Sequence, residues 1–459
     1  MTDGWLGYTY EYLGPENLAS TTAGVKDGVL GPDGPAYKAL VLYGQTRITP
    51  SASAALLRLA EAGLPIFVVG PAPNITIGLI GQRTVSTNMG ALLSGKFSSV
   101  TVLSAASFGP LKLQEKEILP RISASNLDTA QNSSQLYSQW HSRPESSLEL
   151  VYLLNRGPKA TFDISFAVSE AAVPYILDAW TGEQSRLPAY LRTRDGITTR
   201  LSLSQQQSTV VAFKTEMVSE GEDTKMPVSV VSRSPNIARL RVTPGGNIEG
   251  LIDDNDEASV LLSNNKVVEI PSVNSTIVPS STLGPWTLTF ESYSAPLSLT
   301  TASVAANRTF TTIASPLRTL TPWTKIPGLE RSSGIGTYRT TYRPARLDNS
   351  TAITIHFTGA ILNTIRVRVN GNLVPAIDLS APEEGRDITS LLRESRDNEI
   401  VVETTSTLFN AVKARVNDLR TIGNPIHYPK DYSQPAWKEF GLVGEVVVRT
   451  WRRVVLEGI

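Results

Sequence analysis

The chain has no cysteine, only three histidines and four methionines in 459 residues. Without cysteine there are no disulfides, no thiol nucleophile and no thiolate metal site, and a cytoplasmic setting is favoured over a secreted one. Charge of either sign is also lacking in excess: 42 Lys+Arg balance 42 Asp+Glu. No basic stripe interleaved with aromatics is present, which argues against a nucleic-acid partner. No run approaches the ~20 apolar residues of a membrane-spanning helix, so no membrane partner is expected. Met1-Thr2-Asp3-Gly4-Trp5 shows neither the basic n-region nor the apolar core of a signal peptide. The sequons at Asn74, Asn132, Asn274, Asn307 and Asn349 would matter only in the secretory pathway.

What is present is ordinary globular material, 41% hydrophobic and 18% charged. At ~150 residues per domain the length implies about three domains. Residues 1–115 read as a small α/β domain of flavodoxin-like type. Ala39-Leu40-Val41-Leu42-Tyr43 and Pro65-Ile66-Phe67-Val68-Val69-Gly70 are apolar strands. Between them Thr49-Pro50 opens a helix and Gly63 stops it. Residues 116–216 change to period two, as in Leu148-Leu150-Tyr152-Leu154 and Phe162-Ile164-Phe166-Val168, the pattern of a β-sandwich. Residues 217–279 read as an exposed linker followed by short β segments. Residues 280–459 alternate again in Trp286-Leu288-Phe290, Ile353-Ile355-Phe357 and Ile365-Val367-Val369, with Asn370-Gly371 as a tight hairpin turn. A jelly roll is the expected closure. The fold class is therefore multidomain and mainly β.

Several stretches carry a family likeness. Tyr12-Leu13-Gly14-Pro15-Glu16-Asn17-Leu18 and Gly34-Pro35-Ala36-Tyr37-Lys38-Ala39-Leu40 resemble the segment that leaves the catalytic barrel in fungal rhamnosidase-like enzymes of glycoside hydrolase family 106. Leu177-Asp178-Ala179-Trp180-Thr181-Gly182-Glu183 is similar to the sandwich signature of that family. Arg366-Val367-Arg368-Val369-Asn370-Gly371, Asp387-Ile388-Thr389 and Asn398-Glu399-Ile400 resemble the sugar-binding jelly roll of family 2-type enzymes, and Phe440-Gly441-Leu442-Val443-Gly444 its closing strand. The resemblance implies that the hydrolytic carboxylates sit on a TIM barrel upstream of the Tyr12 segment. Only about ten residues precede that segment here. The barrel is expected to be absent, and no family catalytic residue is carried over.

The residues themselves offer candidates. Glycoside hydrolysis needs two carboxyl groups roughly 5 to 9.5 Å apart, and Glu11 and Glu16 with Tyr8, Tyr10 and Tyr12 are the most sugar-like cluster in the first domain. Glu16 would otherwise orient a helix while the tyrosines pack. Trp180 between Asp178 and Glu183 presents an aromatic beside two carboxylates, or simply a packed turn. His356 lies in an alternating strand and reads as a partly buried, satisfied histidine. The loop His427-Tyr428-Pro429-Lys430-Asp431-Tyr432, followed by Trp437, combines a physiological-pH base with hydroxyl and carboxyl groups. His427, Asp431 and Tyr428 are the catalytic candidates, with Tyr10, Glu11, Glu16, Trp180 and Trp437 as ligand-binding residues. Asp253-Asp254-Asn255-Asp256-Glu257 lacks the glycine and distal glutamate of a calcium loop. Neither a metal triad nor a nucleotide fingerprint is present, and no cofactor is expected.

Three readings remain: a barrel-less protein binding a carbohydrate or other small polar ligand, a scaffold repurposed as a cofactor-independent biosynthetic enzyme, or the non-catalytic end of a rhamnosidase. Glycan binding predicts an open groove walled by a solvent-facing Trp180, Trp323 or Trp437. A repurposed enzyme predicts a deep apolar pocket with convergent polar groups. Whether the chain is an enzyme, and its oligomeric state, are not legible at this level.

Overall fold

The computed structural model describes residues 5–20, 23–128, 135–215, 226–253, 256–273, 280–294, 307–313, 315–415 and 435–456. They form two compact units. One holds the chain up to Pro174 together with Arg192–Leu203 and the strand Ser208–Thr215. The other holds Tyr175–Leu191, Ser204–Gln207 and the chain from Lys225 onward. Among the described residues no complete TIM barrel occurs, and no helix is long and apolar enough to cross a membrane.

In the first unit the strands Leu40–Tyr43, Ile66–Val69 and Val100–Leu103 pair in parallel and in chain order. The helix Pro50–Glu61 starts where its sequence says it should. The Thr49 hydroxyl accepts from the Ala52 amide at 3.2 Å, and Pro50 occupies the first turn, where no amide donor is needed. Its Ala52, Ala55, Leu56 and Leu59 are buried, as are Val85, Met89 and Leu92 of the helix Gln82–Leu92, and both sets pack with Ile66 and Val68. The opposite face of the sheet buries Phe67 and Val69 with Trp5, Tyr8 and Phe108.

An antiparallel sandwich follows. One sheet contains Leu136–Arg143, Leu148–Asn155, Ser208–Thr215 and the start of Ala172–Leu177; the other contains Ile122–Asn126, Ala160–Phe166 and Gly196–Leu203. Phe166 and Phe213 meet between them, with ring centroids 4.9 Å apart. The period-two pattern reports this core directly, because alternate residues of every strand point inward.

The second unit holds a jelly roll of two six-stranded antiparallel sheets and a separate three-stranded antiparallel sheet made of Val230–Arg233, Ala258–Leu262 and Val267–Ile270. Its centre is aromatic. Trp323 is 1% exposed, lies edge-on to Phe290 at 4.7 Å and donates its indole N–H to the Tyr338 hydroxyl at 2.8 Å. A side chain at Gly336 or Gly441 would collide with that indole, so both close approaches require glycine. The motif residues hold the architecture. Asn370 and Gly371 have φ of +51° and +82°, the geometry of a two-residue hairpin turn that Asn-Gly adopts at least cost. The Asn370 amide donates to Asn398 Oδ1 at 2.7 Å, and fully buried Asn398 donates to the Tyr342 and Arg393 carbonyls. Asp387 accepts from both the amide and the hydroxyl of Thr389.

Two details depart from the pattern-based expectation. Val230–Arg233 lies in a stretch that reads as linker, yet it is a strand pairing with Ala258–Leu262. Its Val230 is buried with Ile237, Ile248 and Leu456, and this apolar anchor outweighs the polar residues before it. The strand Thr351–Phe357 is buried along its whole length, not on alternate residues. Both faces are covered, which alternation alone does not reveal.

Candidate functional site

Trp180 sits on the hairpin joining Ala172–Leu177 to Gln184–Arg186, whose Leu177 and Gln184 are paired. The turn is built by Asp178. Its backbone N–H donates to the Glu183 carbonyl, and its carbonyl accepts from the Gly182 amide. Its Oδ1 accepts from the amides of Trp180 (2.8 Å) and Thr181 (3.2 Å), while Oδ2 accepts from Arg386 at 2.9 Å. Gly182 has φ +75°, a conformation glycine tolerates without strain. With its acceptor capacity taken up in this way, Asp178 shapes the loop. The indole it presents is 43% exposed.

That indole walls an open groove of about 600 Å³ lined also by Gln205, Gln206, Ile361, Leu379, Ser380 and Pro382, all in the second unit. Two of the loops that line it are tied together. The Ser204 hydroxyl donates to Glu383 at 2.7 Å and the Gln207 amide to Asp378 at 3.0 Å. Asp378 in turn accepts from the Ser380 amide and hydroxyl. The groove thus offers one aromatic face, a short apolar wall and exposed carboxamides, on loops whose backbones are pinned by buried polar contacts. Its volume falls in the usual range for small-ligand sites.

Beneath the 382–384 turn lies His356, 2% exposed. Its Nδ1 is 2.8 Å from the Glu383 carbonyl and its Nε2 is 2.6 Å from the Thr354 hydroxyl. A carbonyl only accepts, so Nδ1 carries the proton. Trp451 Nε1, which only donates, fills the Thr354 oxygen at 2.6 Å, leaving that hydroxyl to donate to Nε2. Burial lowers the His356 pKa to about 4, against the raising effect of the Glu383 carbonyl and with help from the nearby Arg239 and Arg449 charges. His356 is a neutral, fully bonded element of the sheet, more deeply buried than its sequence context implies.

The other candidates are dispersed. Tyr10 and Tyr12 lie edge to face at 5.7 Å on an irregular segment, with Tyr12 93% exposed. Glu11 accepts from the Tyr37 hydroxyl at 2.9 Å, and Glu16 stands exposed in the first turn of the short helix Pro15–Ala19. Trp437 is half-buried with Arg331 and Lys413 at 5.5 and 5.0 Å from its ring centroid, so two cations share its faces; it does not line the Trp180 groove. Trp323 is core. His427, Tyr428 and Asp431 lie outside the described residues.

A second concavity, of about 380 Å³, is lined by Gly63, Pro65, Lys96, Ser98, Ser99 and Lys116. It opens where the parallel strands begin. Ligands of open α/β sheets bind at the opposite, carboxyl ends, so this hollow is a poor candidate. Among the described residues no cluster of three or more His, Asp or Glu is arranged to hold a metal. Gln205, Ile361 and Ser380 were not singled out by sequence reasoning. They come from three separate turns, and the run Gln205-Gln206-Gln207 is the one local hint.

Comparison with known proteins bears on the fold. No family model matches the chain, and no curated protein matches it. Among solved structures, the rhamnosidase from Novosphingobium sp. PP1Y aligns over 98% of this chain and 37% of its own, with a TM-score of 0.60 at 19% identity. An exo-carrageenase of glycoside hydrolase family 42 from Bacteroides ovatus aligns over 39% of this chain and 22% of its own, with a TM-score of 0.24 at 14% identity. The family 42 β-galactosidase Gan42B gives 38%, 32%, 0.25 and 8% for the same quantities. The chain therefore spans about 37% of the length of the rhamnosidase it matches, and across nearly all of its own length it has the fold of that part of a glycoside hydrolase.

Proposed function

We propose that this chain is a carbohydrate-binding portion of a rhamnosidase-like glycoside hydrolase scaffold, of the family 106 type that its motifs resemble, and that it holds a glycan in the Trp180 groove without cleaving it. The observation carrying this reading is the half-exposed indole on a pinned hairpin beside exposed carboxamides. Sugars present apolar C–H faces and rings of hydroxyls. An aromatic face with fixed polar neighbours complements both. The groove is open, and the carboxylate beside it, Asp178, is occupied by backbone amides and Arg386, which commits it to holding the hairpin rather than to acting on a bond. The likeness to a solved rhamnosidase supports a glycan as the ligand class.

Calorimetric titration with neutral oligosaccharides, rhamnose-terminated ones included, tests the reading. Saturable binding is expected, weakened at least about tenfold, ~1.4 kcal/mol, by Trp180→Ala. Binding left intact by that substitution, or no glycan binding at all, would sink it.

A further inference from the structure

The outward face of the sheet that carries His356 is crowded with arginine. Pairing sets Arg239 opposite Leu251, Leu251 opposite Arg453, and Arg449 opposite Thr354. Directly paired residues point to one side of a sheet. Arg239, Arg449 and Arg453 therefore share the face of Thr354 and Trp451, and Arg241 joins them two positions beyond Arg239.

Two of these four are neutralised in place. Arg241 and Arg453 both reach Glu249, at 2.9 and 3.0 Å, and both reach Asp387, at 3.2 and 3.5 Å. Two cations and two carboxylates close a quartet. The neighbouring Arg386 is committed to Asp178 and the Ala376 carbonyl.

Arg239 and Arg449 differ. Neither makes a hydrogen bond or ion pair with a described residue. Glu384 and Asp387 act on Arg239 electrostatically without bonding to it. Arg449 is exposed, whereas Arg239 is half-buried. Burial pushes the Arg239 pKa below the usual arginine range, and the positive charges of Arg386 and Arg449 push it further the same way. A cation taken partly out of water beside two others is costly unless an anion meets it. The protein's own carboxylates on this face are largely spent on other arginines.

We propose that Arg239 and Arg449 form a binding site for a small divalent oxyanion, a phosphate or sulfate group, on the outward face of this sheet. Each guanidinium carries five N–H donors in a rigid fork, and tetrahedral oxyanions accept such forks bidentately. Two unpaired guanidinia match a divalent charge. Glu384 trims the local excess, so affinity on the order of millimolar is expected. The site does not depend on the Trp180 groove.

The full chain is titrated calorimetrically with sodium sulfate, inorganic phosphate and methyl phosphate, against sodium chloride at matched ionic strength. One saturable site for an oxyanion is expected. Arg239→Met, which keeps the apolar stem, and Arg449→Gln, at an exposed position, should each weaken it tenfold or more. Arg366→Gln, on the other sheet, should leave it unchanged. Methyl phosphate binding as tightly as inorganic phosphate identifies the terminal group of a larger ligand; preference for the free ion identifies the ion itself. No saturable binding above the chloride control, or affinity unaltered by Arg449→Gln, would overturn the proposal.

Discussion

The strand Thr351–Phe357 has two faces buried by different physics. Toward the core, Ile353, Ile355 and Phe357 join Trp286, Trp323 and Phe290 in an apolar cluster. Toward the outside, Thr354 and His356 are as fully buried, but through a directed chain of hydrogen bonds from Trp451 to the Glu383 carbonyl. The first face tolerates shape changes at a cost set by lost area and the cavity left behind. The second is all or nothing, because an unbonded polar atom there loses its partner and finds no water. Burial alone does not tell a reader which kind of interior a residue occupies.

Substitutions on the two faces should separate these mechanisms. Ile355→Ala removes buried volume from the core and should cost about 2–5 kcal/mol at any pH, read by denaturant unfolding. A pH-independent loss is the signature of the apolar face.

His356 should instead make stability depend on pH. The unfolded chain takes up a proton near pH 6.5, while the folded one resists until about pH 4. Below 6.5 the unfolded state therefore binds more protons, and stability falls as the pH falls through this window. The shift corresponds to roughly 3 kcal/mol between pH 7 and 4. Asp348, lowered to about 2 by hydrogen bonds from Ser350 and Thr351, titrates below that range. His356→Gln should flatten the slope in this window, whatever it does to stability at pH 7; an unchanged slope would place the titration elsewhere.

Thr354→Val keeps the shape and deletes the hydroxyl that links Trp451 to His356. About 1–3 kcal/mol should be lost, checked by thermal unfolding at pH 7. A neutral result would mean that the outward face is held by packing after all. The smallest effect is expected where polar groups face open water. Arg339 and Glu399, 3.8 Å apart and about half exposed on the other sheet, should contribute no more than ~0.5 kcal/mol in a double-mutant cycle.

Legibility varied across the molecule for identifiable reasons. The helix Pro50–Glu61 could be read from Thr49-Pro50 and its apolar spacing, because capping and amphipathicity are local. The hairpin at Asn370-Gly371 was equally plain, since few residue pairs adopt positive φ twice in succession at low cost. The strand Val230–Arg233 was hidden because its partner, Ala258–Leu262, lies beyond a polar stretch. Trp180 was visible as a candidate; what faces it was not. Gln205, Ile361 and Ser380 reach the groove from turns some 25 to 200 residues away in the chain, and no local pattern encodes that meeting.

Composition and periodicity determined that the chain is mainly β, with a short parallel α/β start, and that cysteine chemistry plays no part in it. These are properties of neighbouring residues, where sterics and hydrophobic spacing act over a few positions. Tertiary structure alone decided that Trp323 is core while Trp180 faces solvent, that His356 is locked neutral, and that Arg239 and Arg449 stand without a bonded carboxylate among the described residues. Each of those outcomes depends on which distant strand or loop covers a side chain, and coverage is a property of packing in three dimensions.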